Sequence, residues 1–172
     1  LQDKLPPFAV AEAKAMVESE LGTPFDQVFS EFSEPVAAAS IAQVHKAKVA
    51  QTGETVAVKV LRPNIDRDFR KDIDAFYFAA SMIEMLSPSS RRLRPKDVIT
   101  HFEGVVMGEL DLRLESAAAS EFAANTQDDA GFSLPEVKWE LSSRRVMTLG
   151  WAEGLPLGDI AALDAAGHDR AV

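Results

Sequence analysis

A chain of 172 residues, 47% hydrophobic and 26% charged, has the length and composition of a globular protein with a substantial core, and wholesale disorder is excluded. Its 27 acidic and 18 basic side chains give a net charge of -9, which argues against a general nucleic-acid binder. The lack of cysteine rules out disulfides, thiolate metal sites and thiol nucleophiles, and fits a reducing compartment.

The first expected element is a helix over residues 8–21, preceded by Pro6 and Pro7 and stopped by Gly22 and Pro24. Val10, Ala13, Val17 and Leu21 recur along it at helical spacing and mark a buried face. Strand-like runs follow at 25–35, 41–50 and 55–61, and Gln51-Thr52-Gly53-Glu54 signals a hairpin between the last two, so the three form an antiparallel meander. Pro63 and Asn64 end the meander, and Asp66 or a neighbour is placed to cap a helix running to about Leu86. Its residues Phe69, Ile73, Phe76, Ala80 and Ile83 fall at alternating steps of four and three, a stripe that reads as core. A break at 87–90 and a restart at Pro95 predict a second long helix over 96–125, weakened and able to bend at Gly104 and Gly108. Two more strands are predicted at 136–141 and 145–149, joined by Ser142-Ser143-Arg144. The sum is an α+β layout: one antiparallel sheet of about five strands, an N-terminal helix and two long inserted helices.

No apolar run approaches the length of a membrane span and no basic-then-apolar leader precedes the first helix, so the segment by itself is expected to be soluble. Basic residues cluster at Arg62, Arg67, Arg70 and Lys71, and again at Arg91, Arg92, Arg94 and Lys96. Solvated helix ends explain both clusters more readily than contact with an anion or a lipid headgroup. His45 in a strand, His101 in a helix and His168 in the tail read as structural or solvated, and are too few and scattered for a histidine metal cluster. After the turn at 154–158 the chain trails into a weakly patterned, alanine-rich tail, as expected of a piece of a larger protein.

The chemistry gathers around one lysine. Lys59 ends the apolar run Val56-Ala57-Val58, and an ammonium fixed on a strand needs an anionic partner if it is to be buried. Ala37-Ala38-Ala39-Ser40 lies between two predicted strands, where small side chains let backbone amides approach a phosphate and Ser40 adds a hydroxyl. Asp111 and Glu115 are four residues apart and share a helix face, whereas Glu109 lies nearly opposite Asp111 on a straight helix. Glu115 is therefore the expected partner of Lys59, and Glu109 can act with Asp111 only if the helix bends near Gly108.

Together, the string from Ala37 through Ala38, Ala39, Ser40, Ile41, Ala42, Gln43 and Val44 to His45, the run Val56–Val60 with Arg62-Pro63, and the acidic stretch from Glu109 to Glu115 resemble the UbiB/AarF/ADCK atypical kinase family, linked to ubiquinone biosynthesis. The resemblance covers residues 1–158. It implies a protein-kinase-like N-lobe at 25–158, an N-terminal helical extension at 1–24, and a hinge and the start of a second lobe at 159–172. It implies further that Ala37, Ala38, Ala39 and Ser40 form the alanine-rich loop over nucleotide phosphates, that Lys59 is the nucleotide lysine and that Glu115 is its paired glutamate. Glu109 and Asp111 match a Glu-x-Asp motif that organises the nucleotide site and holds an inhibitory Lys-x-Gly-Gln segment, and residues 148–154 match the last strand and hinge. The Lys-x-Gly-Gln motif belongs upstream of Leu1, and the catalytic-loop Asp and Asn and the magnesium-binding Asp-Phe-Gly belong to the second lobe; nothing in 159–172 resembles them.

The expected cofactor is therefore ATP or ADP with magnesium, bound by the full-length parent, and no turnover is expected of this segment alone. The expected partners are the nucleotide, quinone-biosynthesis proteins and lipid, with no nucleic acid. A cytoplasmic protein peripheral on the inner membrane is implied. Apolar surface left bare where the second lobe docks would favour a dimer. A pseudokinase scaffold that transfers no phosphate, and ATP hydrolysis coupled to extraction of a lipid intermediate, stand as alternatives.

Overall fold

Alternation along Thr55–Leu61 (β3) places this strand at the centre of the fold: Val56, Val58 and Val60 are wholly buried in one apolar cluster, while Leu61 belongs to a second cluster on the opposite face. The computed structural model describes residues 6–155 and 157–167; the tail residue His168 lies outside the described residues. On one side β3 pairs with Ala42–Val49 (β2) through the Gln51–Glu54 turn, where Gly53 takes the left-handed φ of 72° that the tight connection requires. Phe29–Ala38 (β1) pairs with the far edge of β2, and Val146–Gly150 (β4) with the far edge of β3. The sheet is thus four-stranded and antiparallel, in the order β1-β2-β3-β4.

Each face of the sheet has its own cover. Helix Val10–Leu21 (α1) lays Ala13 and Val17 on the Val56, Val58 and Val60 face, together with the aromatic trio Phe25, Phe29 and Phe32. Each valine removed from water there contributes roughly 1.5–3 kcal/mol. Gly22, left-handed at φ 64°, ends α1 by donating its amide to Glu18 O. On the other face Ala42, Leu61 and Met147 pack against Leu110 and Leu112, at the junction of helices Pro95–Glu109 (α4) and Leu112–Asn125 (α5).

Several predicted elements differ from the observed ones, each for a local reason. The strand expected at 25–35 opens with one helical turn, Phe25–Val28 (α2), because the Glu18 carboxylate accepts the Phe25 amide and bends the chain there. β1 consequently runs later, through Ala38, so Ala37 and Ala38 are strand residues and the turn begins at Ala39. The strand expected at 136–141 reduces to a single bridge between Val137 and Leu149 followed by a 3₁₀ turn, Trp139–Leu141. There the Ser142 hydroxyl accepts the Thr148 amide and the Thr148 hydroxyl donates to Leu141 O, so side chains replace a strand ladder.

Helix Ile65–Leu86 (α3) follows Asn64, itself left-handed at φ 61°, and Asp66 sits inside its first turn, paired with Arg145, rather than capping it. Of the predicted core stripe, Ile73 and Ala80 are buried and Phe69 is partly so, but Phe76 and Ile83 are about half exposed. The physical reason is that α3 packs along α4 as a two-helix arm, with Phe76 edge-on to Phe102, and one side of the pair has no cover among the described residues. Phe78 on α3, Leu86 at its end and Leu93 in the connecting 3₁₀ turn are likewise exposed. A short helix, Ile160–Ala165 (α6), capped by Asp159, completes the described chain.

His45 is structural, and the surrounding contacts show how. It is fully buried, stacks on Phe32 with ring centroids 4.3 Å apart, and sits between Ser33 O at 2.8 Å from Nδ1 and Gln43 Nε2 at 3.0 Å from Nε2. Burial lowers its pKa from 6.5. The neutral ring is favoured in the fold, so its contribution to stability is complete above pH 6.5, the ordinary value, and is lost as pH falls from there through the lowered folded value. Thermal unfolding followed on both sides of pH 6.5 should show this decline in the wild type and lose it in His45→Gln; equal slopes in the two proteins would refute the assignment. His101 lies on the exposed surface of α4.

Candidate functional site

The register of the sheet sets the geometry. Ala37 on β1 lies opposite Val44 on β2, Val44 opposite Lys59 on β3, and Lys59 opposite Met147 on β4, so the four form one row across the sheet. Antiparallel strands lie about 4.8 Å apart, which puts the Ala37 backbone roughly 10 Å from that of Lys59, with Val44 between them. Met147 and Leu61 belong to the cluster beneath α5, so Lys59, in phase with Leu61 along β3, projects toward that helix.

On α5 it meets Glu115. Lys59 Nζ lies 2.7 Å from Oε1 and 2.6 Å from Oε2, a contact between residues 56 positions apart in sequence. The pair is partly open, with 27% of the Lys59 and 49% of the Glu115 side chain exposed, so a ligand has access to the ammonium. An ammonium carries three N–H donors, and one carboxylate does not exhaust them.

The predicted single helix over 96–125 is two helices, and the break orders the acidic motif. α4 ends at Glu109, Leu110 turns fully buried beneath the sheet, and Asp111 caps α5 by accepting the Arg113 amide at 3.2 Å. The interruption falls two to three residues beyond Gly108, where burial of Leu110 and the Asp111 cap decide it. Glu109, Asp111 and Glu115 thereby line one cleft of about 450 Å³ with Gly104, Val105, Gly108 and Leu114, which a straight helix would not allow. The Arg113 guanidinium, 2.9 and 2.6 Å from the two Asp111 oxygens, holds the pKa of that carboxyl below its ordinary value. Asp111 thus fixes where α5 begins, and with it the place of Glu115 in the first turn.

The turn at Ala39–Ile41 is smaller than expected. Ala39 donates to Ala42 O at 2.8 Å, Ile41 O accepts the Arg62 amide at 2.8 Å, and Ala39 and Ser40 are exposed. Sequence reading missed the residues that support this turn. Arg62, assigned to a solvated cluster, is half-buried: its guanidinium donates to Ala39 O and to Pro6 O, all at 3.1–3.2 Å, and lies 5.9 Å from the Phe8 ring. Gln43 is fully buried and clasps the Phe8 backbone through both ends of its amide. The available signal was Gln43 and His45 at alternate positions, in phase with the apolar Ala47 along the strand. In the other basic cluster, Arg94 pairs with Asp97 and Lys96 with Glu84 on the exposed arm.

Comparison with known proteins places this arrangement. The ABC1 atypical kinase-like domain matches residues 1–172. The chain is similar to the Probable protein kinase UbiB of Marinobacter nauticus, at 36% identity over 100% of this chain and 31% of that protein. It is also similar to the proteins of the same name from Azotobacter vinelandii and Shewanella woodyi, each at 38% identity, over 98% and 100% of this chain and 32% of each relative. It therefore spans about a third of the length of these relatives. The solved structure of Rv3197 from Mycobacterium tuberculosis in complex with erythromycin superposes with a TM-score of 0.74 at 32% identity, covering 91% of this chain and 39% of that one. A match over the entire chain, carried by a kinase-like sheet with its lysine and glutamate in contact, means that this chain belongs to the ABC1 atypical kinase-like family.

Proposed function

We propose that the chain is the N-lobe of a UbiB-type atypical kinase-like protein that binds ATP or ADP with magnesium and supports ubiquinone biosynthesis as an ATPase or phosphotransferase. The observation that carries this reading is the 2.6 Å contact between Lys59 and Glu115, made by a strand lysine in register with the alanine-rich segment. In this reading Glu115 anchors the ammonium, Lys59 orients the α- and β-phosphates, and the Ser40 and Ile41 amides of the turn meet the phosphates from the other side. The donor set fits the group: cationic and amide donors face the phosphates. Glu109 and Asp111 line one cleft with Glu115, the partner of Lys59, as residues organising the nucleotide site would. Magnesium, when bound, neutralises charge developing on the transferred phosphate; its ligands and the catalytic base belong to the second lobe, so this chain alone turns nothing over.

Among the described residues no helix is long and apolar enough to cross a membrane, and the reading has the protein act peripherally at the inner membrane, on its cytoplasmic side. The test uses the chain joined to the continuation its relatives carry, supplied with Mg·ATP labelled in the γ-phosphate. Release of phosphate or its transfer to protein or lipid, abolished by Lys59→Ala, is the expected result. Nucleotide binding without any turnover would replace the enzyme with a pseudokinase scaffold, and the absence of binding would remove both.

A further inference from the structure

Resting on the nucleotide reading above, we infer that Arg62 is a positioning residue for the phosphate-facing turn, holding Ala39–Ile41 against the sheet by tying it to the N-terminal segment at Pro6. Three facts converge on this side chain. Its guanidinium reaches the Ala39 carbonyl through both Nε and Nη2, at 3.2 and 3.1 Å, in a two-donor grip. Its outer nitrogens both reach the Pro6 carbonyl at 3.1 Å, so one planar group spans two backbone segments that are 33 residues apart in sequence. Its own amide donates to Ile41 O, and it follows Lys59 by three residues, at the end of the same strand.

The consequence concerns the shape of the turn. Ser40 and Ile41 are the two residues between Ala39, which donates to Ala42 O, and Ala42, which begins β2. Arg62 holds the carbonyl that opens this turn and, through its amide, the carbonyl that closes it. Fixing both carbonyls fixes the two peptide planes to which they belong, 39–40 and 41–42, and with the first of them the direction of the Ser40 amide, leaving one plane between that must span two held ends. Alanine in the loop narrows the available φ and ψ relative to glycine, and the Arg62 grip selects within that range. The Pro6 carbonyl braces the other side of the guanidinium, and that segment is itself held by the two hydrogen bonds between Gln43 and Phe8. A fork is required because a lysine donates from one nitrogen and cannot lie in the plane of both carbonyls.

Two measurements test the inference. In the 172-residue chain, hydrogen exchange of the Ala39 amide, which is bonded to Ala42 O, should accelerate in Arg62→Ala and in Arg62→Lys, while amides in the interior of β3 keep their protection. Unchanged exchange in the turn would overturn the grip without reference to any nucleotide. In the chain joined to its continuation, both variants should bind Mg·ADP about tenfold more weakly than wild type and adenosine equally well. An equal loss for adenosine would make Arg62 merely structural, and full affinity in Arg62→Lys would make charge alone sufficient; either overturns the positioning role. Failure of the wild type to bind Mg·ADP would instead sink the nucleotide reading and this role with it, an outcome visible before any variant is examined.

Discussion

Leu110→Ala is expected to cost about 2–5 kcal/mol of folding stability, as large-to-small changes at wholly buried sites do. Leu110 is completely inaccessible and packs in the cluster that joins Ala42, Leu61, Leu112, Val137 and Met147. It is also the residue at which α4 gives way to α5, its amide bonded back to Val106 O while the next residue caps the new helix. A cavity there removes apolar contact beneath β3 and loosens the anchor that sets where α5 starts. At roughly 2–4 °C per kcal/mol for a domain of this size, the melting temperature should fall by about 4–20 °C. Leu157→Ala provides the contrast: that side chain is 90% exposed, and the change should stay within about 0.5 kcal/mol. Equal effects of the two substitutions would mean that the cluster under α5 does not hold the fold.

The second large effect falls on ligand affinity rather than stability. Lys59 and Glu115 are in tight contact but partly exposed, and pairs of that kind contribute about 1 kcal/mol or less to folding. Lys59→Ala should therefore leave the melting temperature nearly unchanged. A phosphate facing the same ammonium loses a charge-assisted hydrogen bond, about 1.5–3 kcal/mol, which is roughly 10- to 150-fold in dissociation constant. Glu115→Ala should act in the same direction but less strongly, because the lysine keeps its charge and loses its anchor. If Lys59→Ala lowered the melting temperature by several degrees while the folded variant kept full affinity, the lysine would be a structural ion-pair partner and not a ligand-binding group.

The sheet was readable from the sequence wherever one pattern dominated. The 55–61 strand appears with its predicted bounds because β-branched residues alternate there without interruption and a glycine turn precedes it. Glu115 meets Lys59 as expected, but not through helix phase: the chain breaks at Leu110 and Asp111, and Glu109, Asp111 and Glu115 line one cleft. The strand at 136–141 was misread because hydroxyl-to-backbone bonds at Ser142 and Thr148 compete with a ladder, and hydrophobic alternation does not register such bonds. The stripe on α3 was overread as core: periodicity shows that a face is apolar but not how much of its length finds a cover, and Phe76 and Ile83 remain half exposed. Arg62 escaped because its acceptors, the Pro6 and Ala39 carbonyls, are main-chain atoms that carry no residue signature.

The Lys59–Glu115 pair belongs to a nucleotide site only if Lys59 faces a nucleotide. The direct measurement is calorimetric titration of Mg·ADP into the chain joined to its continuation, in wild type and Lys59→Ala, with the 172-residue chain alongside. Saturable one-site binding in the wild type, weakened at least tenfold in Lys59→Ala and lost in the short chain, is the predicted result. Wild-type heats matched by those of Lys59→Ala, or no binding by the longer wild-type chain, would contradict it.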